Sequence, residues 1–208
     1  MKHLPEVQEK PPALAPRDRI IAVARREFFT NGFRNVTMDD LASALGMSKK
    51  TFYAHFPGKT ELLKAVLINK FDHVEADFSR VARENSSNVS VWLQEMVLRM
   101  QQHTGEIHPL FLRDMQREAP ELFKLVESRR REILERYWGG FFRDGRKQGF
   151  IRKDVPVKLM LEILLGAVQS ILNPPKIAEL GLAPKAGASV IIEVILHGVI
   201  TRRRKSTL

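Results

Sequence analysis

The stretch from Val36 to Leu63, VTMDDLASALGMSKKTFYAHFPGKTELL, sets two short helix patterns around a glycine and starts a third directly after them. Thr37 precedes the first pattern and Asp40 follows three residues on, the spacing of a capping box with Asp where Glu is usual. Met38, Leu41 and Leu45 recur at helical spacing and give that helix one apolar face. Gly46 comes next, where a left-handed stop needs no side chain. Ser48 is a second N-cap candidate, and Phe52 and Phe56, one turn apart, anchor the second helix to the first. Lys49, Lys50, Thr51, Tyr53 and His55 are left on its other faces. Pro57-Gly58 closes the helix and Lys59 falls in the first turn of the next. Two short helices joined by such a turn read as a helix-turn-helix, whose second helix enters the major groove. The same spacing also fits a solvated helical hairpin that binds nothing. Cations, a hydroxyl, a phenol and an imidazole on the free face favour DNA.

The string TMDDLASALGMSKKTFYAHFPGKTELL closely resembles the DNA-binding signature of TetR-family transcriptional regulators. Its most specific part runs from Ser48 to Lys59, with Phe52, Tyr53, His55 and Phe56 at its centre. The resemblance is strong over residues 17 to 65; beyond them only length and helical layout match. Lys50 stands where a small residue is usual, and Ala54 where a second aromatic is frequent, so the operator sequence does not follow from the motif. The resemblance assigns DNA contact to Thr37, Ser48, Lys49, Lys50, Thr51, Tyr53, His55 and Lys59. Backbone amides at Thr37 and Ser48 and the Lys59 ammonium are expected at phosphates. The Lys49, Lys50, Thr51 and Tyr53 side chains are expected at base edges or adjacent phosphates, and His55 at the backbone.

Charge agrees with an anionic partner. The 208 residues carry a net charge of +10, and the segment from Arg17 to Lys59 holds eight Lys or Arg against four Asp or Glu. Charge alone also fits a merely soluble basic protein. With no cysteine, a disulfide framework, a thiolate zinc site and a cysteine nucleophile are excluded, which suits a cytoplasmic setting. No apolar run reaches the ~18 residues of a membrane span, and no secretory signal is visible, so no membrane partner is expected. Gly58-Lys59-Thr60 lacks the earlier glycine of a phosphate loop, since residue 53 is Tyr. His103 and His108 are five apart across a helix boundary, a poor metal pair. No catalytic motif, cofactor fingerprint or metal site is expected, and the chain reads as no enzyme.

Taken in order, residues 1 to 16 read as a Pro-rich flexible arm, residues 17–62 as the helix-turn-helix domain and residues 63–208 as a helical effector-binding and dimerisation domain. Asp18 is expected to cap the first helix, with Ile20, Ile21, Ala24 and Phe28 inward and Asn31-Gly32 as its stop. A long helix is expected from Thr60 to Glu84 and another capped by Ser90. A short helix follows around Leu110 to Met115, then a long one ended by Gly145 and Gly149. Pro156 starts a helix apolar on nearly every face, a Gly/Pro/Ala-rich loop runs through Ala188, and a second nearly all-apolar helix closes the chain. Helices apolar all round need cover on more than one side, so residues 157–172 and 189–200 are expected to pair with a second copy, with Val168 and Ile195 in the interface. Glu193 and His197, one turn apart, are expected to fix its register. Burial within one protomer is the alternative. Trp92, Met96, Met100, Phe111, Met115, Phe123, Trp138 and Phe142 are the candidate lining of a ligand cavity, with ordinary core packing the competing role for each.

The expected protein is an all-α homodimer: a sequence-specific regulator, and a repressor released from a palindromic DNA operator by a small-molecule effector. Its rivals are a DNA-binding regulator without effector, acting as activator or architecturally, and a helical carrier or enzyme with a merely structural helix-turn-helix.

Overall fold

The computed structural model describes residues 15–85, 88–172, 174–182 and 184–200. Most of the arm expected over residues 1–16, and the basic run at residues 202–205, lie outside the described residues. The described chain is all-α, apart from an isolated antiparallel bridge between Ile151 and Ile200. Its helices are α1 (Pro16–Asn31), α2 (Met38–Ala44), α3 (Lys49–His55), α4 (Lys59–Glu84), α5 (Val89–Gly105), α6 (Pro109–Glu118), α7 (Pro120–Gln148), α8 (Val157–Ile171), α9 (Pro174–Glu179) and α10 (Pro184–Val199).

Several boundaries differ from expectation for local reasons. Helix α1 begins at Pro16 with Ala15 as N-cap, so Asp18 sits in the first turn instead of capping. Proline suits that position because its missing N–H would have no intrahelical partner. Asn88, not Ser90, caps α5, its side chain accepting from the Val91 amide at 3.2 Å. Gly145 lies inside α7, buried against Ile151 and Phe150, and Gly149 alone makes the left-handed stop at φ 84°. The expected loop through Ala188 is replaced by the short helix α9 and by the first turns of α10.

Two hydrophobic cores organise these helices. The first joins Ile20, Ile21, Ala24 and Phe28 of α1, Met38 and Leu41 of α2, Phe52 of α3, and Leu62, Leu63 and Val66 of α4. It also takes in Phe111 and Met115 of α6 and Leu122 and Val126 of α7. The second gathers Val74, Phe78 and Val81 of α4 with Trp92 and Met96 of α5, the C-terminal half of α7, and α8 and α10. Helix α4 therefore belongs to both cores. A division after residue 62 cuts through a continuous helix whose next residues still pack in the first core.

Helices α8 and α10 pack on each other and also leave an apolar face in solvent. Leu159 and Ile163 of α8 and Val190 and Val194 of α10 are exposed, each pair one helical turn apart. Within the protomer, α8 buries Met160, Leu164, Leu165 and Val168. Val168 is 5% exposed and faces inward, which corrects its expected place in an interface; Ile195 is half-buried against the second core. Glu193 and His197 are both exposed on α10.

Candidate DNA-binding surface and effector cavity

The helix-turn-helix is held by local chemistry. The Thr37 hydroxyl accepts from the Asp40 amide at 3.1 Å, and the Asp40 carboxylate accepts from the Thr37 amide at 3.0 Å, which completes the capping box. Hydrogen bonds to the Asp40 carboxylate from the Thr37 hydroxyl, at 2.6 Å, and from the Thr37 amide hold that carboxyl below its ordinary pKa. Gly46 turns the chain at φ 63°, and the Met47 amide donates back to Ala42 at 2.9 Å. The Ser48 hydroxyl caps α3 by accepting from the Thr51 amide at 3.1 Å. Phe52 and Phe56 are buried and seat α3 on the core.

That seating leaves Ser48, Lys49, Lys50, Thr51, Tyr53 and Ala54 on one exposed ridge, with Thr37 exposed at the start of α2. Lys49 pairs with Asp39 across the turn at 2.6 Å, which raises its pKa. His55 is half-buried at the end of α3. Lys59 is the least free of the expected contacts: its ammonium donates to the Arg34 carbonyl at 3.3 Å and lies 4.4 Å over the Phe33 ring. Burial there lowers its pKa, against opposing pulls from Glu118, Asp114 and Asp40. Arg17, in the first turn of α1, stacks 5.0 Å over the Phe56 ring.

A contact that spacing did not suggest ties this unit to the rest of the chain. Asp114 of α6 is buried and accepts from the Arg34 amide at 3.0 Å, next to Gly32 at φ 84°. The His108 amide donates to the Phe29 carbonyl at 2.8 Å, and the His108 ring caps α6. His108 thus has a capping role, and no cluster of metal-ligating groups occurs among the described residues.

A cavity of about 160 Å³ lies between α4, α5, α6 and α7, closed by Val168 and Leu172 on one side and Ile177 of α9 on another. Of the expected lining, Met100, Phe111 and Met115 are present. Trp92, Met96, Phe123, Trp138 and Phe142 are not. Trp92, Trp138 and Phe142 pack with Phe141 in an aromatic cluster, Trp92 and Phe141 stacked with centroids 4.6 Å apart. Met96 is fully buried in the same core, and Phe123 packs against the first one. Leu67, Phe71, Val74 and Phe78 of α4 supply much of the wall instead, with Lys70, His103 and Arg130 as its charged or titratable members. Only convergence of separate helices in space brings these three together, so no sequence spacing points to them.

Lys70 is 5% exposed. Its ammonium donates to His103 Nδ1 and to the His103 carbonyl, both at 3.0 Å, and pairs with Glu106. Burial, helped by Arg25, pushes its pKa down to about 7 against Asp77; the direct contact with Glu106 acts in the opposite sense and favours the charged form. His103 Nε2 meets Asp77 at 3.0 Å, which with Nδ1 as acceptor defines a neutral ring protonated on Nε2. Burial and Lys70 hold its pKa at about 4. Glu106 in turn accepts two hydrogen bonds from Arg25 of α1, at 2.9 and 2.8 Å. A chain of charge-assisted contacts thus runs from the cavity wall to the first helix of the DNA-binding unit.

A three-helix unit with an exposed, capped second helix, carried on a cavity-bearing helical body, has the form of a helix-turn-helix DNA-binding unit joined to a helical domain. Residues 20–66 match the profile of the bacterial regulatory proteins of the TetR family. The chain is 23% identical over 187 residues to the uncharacterized HTH-type transcriptional regulator YvaF of Bacillus subtilis, covering 87% of this chain and 94% of that one. It is equally 23% identical over 188 residues to the HTH-type transcriptional regulator UidR of Escherichia coli, covering 89% and 93%. A TetR-family regulator from Agrobacterium tumefaciens shares the fold with a TM-score of 0.68 at 18% identity, over 89% of this chain and 97% of that one. The profile match falls on the helix-turn-helix unit, and the two relatives that align along most of the chain are transcriptional regulators. Among the described residues, no helix is long and apolar enough to cross a membrane.

Proposed function

We propose that this regulator is a cytoplasmic homodimer that represses transcription from a palindromic operator and leaves it when a small molecule fills the cavity between α4, α5, α6 and α7. The observation that carries this reading is the double membership of α4. Leu62, Leu63 and Val66 pack in the core of the DNA-binding unit, while Leu67, Phe71, Val74 and Phe78 line the cavity. A ligand that displaces the cavity half of α4 displaces α3 with it, because α3 is seated on the same core through Phe52 and Phe56. The Lys70–Glu106–Arg25 contacts give a second connection, to α1.

DNA contact falls to Thr37, Ser48, Lys49, Lys50, Thr51, Tyr53, His55 and Lys59, with Lys59 leaving its Arg34 contact to reach phosphate. The exposed face of Leu159, Ile163, Val190 and Val194 joins two protomers in a helical interface. A two-fold dimer reads two half-sites only if its recognition helices match one helical turn of DNA, ~34–36 Å, or a multiple. A ligand releases the operator only if it binds the mismatched arrangement more tightly.

The test begins with selection of bound DNA from a random pool, which defines the operator. Ligand affinity is then measured with and without saturating operator. Linkage requires operator to weaken ligand binding by the same factor as ligand weakens operator binding, ~5–150-fold for ordinary couplings. Equal affinities for a ligand bound in this cavity overturn its role as inducer.

A further inference from the structure

We propose that the cavity selects an amphipathic anion, with an apolar body among Leu67, Phe71 and Val74 and a single carboxylate held by Arg130; this rests on the cavity being the effector site. Among the described residues, the wall carries two basic side chains, Lys70 and Arg130, and a neutral His103, and no Asp or Glu lines it. The two bases differ in what they already hold. All three N–H groups of Lys70 are engaged, by His103 Nδ1, by the His103 carbonyl and by Glu106. Its charge is balanced within the protein, and it has no donor left for a ligand.

Arg130 is the opposite case. It projects from the middle of α7, is partly buried, and makes no hydrogen bond or ion pair among the described residues. Its neighbours on α7 are all committed: Arg129 pairs with Glu132 and Glu75, and Arg131 with Glu135 and Glu162. Glu127, one turn back, exerts a favourable pull on Arg130 without contacting it, while burial lowers the guanidinium's pKa. A guanidinium cannot shed its charge to escape a poor environment, so a cation kept at an apolar wall gains most from an arriving anion. Its planar fork matches a carboxylate with two parallel hydrogen bonds. The rest of the wall is aliphatic or aromatic, apart from Thr104, and fits an alkyl or ring body without further polar groups.

The test compares three probes of one shape and three charges, octanoate, octanol and octylammonium, binding to the full-length protein by calorimetry. Methyl signals of Met100 and Met115 report occupancy of the cavity. Wild type is expected to bind octanoate at least ~10-fold more tightly than octanol, with octylammonium weakest, the discrimination typical of a charge-assisted hydrogen bond. Arg130→Gln should bring octanoate to the level of octanol while octanol itself is unchanged, and Arg130→Lys should restore part of the preference. Thermal melts confirm that the variants fold. Octanol binding as tightly as octanoate in wild type, or an undiminished octanoate preference in folded Arg130→Gln, overturns the anion assignment and leaves the effector cavity standing. Failure of all three probes to perturb Met100 and Met115 overturns the anion assignment, while the effector reading stands or falls on the operator-linkage measurement.

Discussion

Replacing Val194 by Glu separates an interface residue from a core residue. Val194 is 66% exposed in the protomer, so about a third of the ~1.5–3 kcal/mol available from full burial is realised within the chain. Losing it costs the protomer about 0.5–1 kcal/mol, and Glu is a good helix former, so the variant stays folded. In the proposed dimer the same carboxylate enters the apolar face made with Leu159, Ile163 and Val190. An unpaired charge in such a setting costs about 3–5 kcal/mol when fully desolvated. Two-fold symmetry places two of them in one interface. Allowing half the full cost for partial hydration, the penalty is still about 3–5 kcal/mol per dimer, which weakens association at least ~10²-fold. Sedimentation velocity over a concentration series, with circular dichroism as the folding control, measures both quantities. Val168→Glu is the contrast: at 5% exposure beside the cavity it should abolish cooperative folding instead of releasing a folded monomer. A Val194→Glu protein that dimerises with wild-type affinity refutes the proposed interface.

Tyr53→Ala removes an exposed side chain and should change stability by less than about 0.5 kcal/mol while weakening selected-operator binding more than nonspecific binding. Lys59→Ala should lower the salt slope of DNA binding by about one and cost about 1 kcal/mol of stability, because the free protein uses that ammonium at Arg34 and Phe33. An unchanged slope would remove its phosphate role. Gly32→Ala meets a backbone conformation suited to glycine at φ 84°, and its Cβ would lie 2.7 Å from Asp114. A loss of ~1–3 kcal/mol in a urea titration is expected. Acid should destabilise the fold through His103: its pKa of about 4 lies below the unfolded value of ~6.5, so the unfolded chain binds the extra proton between these values. Stability then falls as pH drops through that window, by up to ~1.4 kcal/mol per pH unit, and His103→Gln should flatten the slope there.

Which features the sequence reveals follows from how local their causes are. Thr37, Asp40, Gly46 and Ser48 act on backbone groups within three or four residues of themselves, so the two helices, their turn and the exposed ridge of Lys49 to Tyr53 are readable in one short string. The inward stripe of α1 was equally plain, because polar residues mark its other side. In α8 and α10 nearly every residue is apolar, and periodicity cannot say which face looks inward. Only the packing of α8 on α7 and α10 decides that Val168 is core and Ile163 is surface. Large side chains mark where a core is dense, not where it is incomplete. Trp92, Trp138 and Phe142 fill their neighbourhood, whereas the cavity opens where Leu67, Phe71, Val74 and Phe78 of α4 come together with Met100 and Met115. The roles of Lys70, His103, Glu106, Asp114 and Arg130 depend on partners dozens of residues away or on the lack of one, and tertiary structure alone assigns them, because a buried charge is defined by what surrounds it.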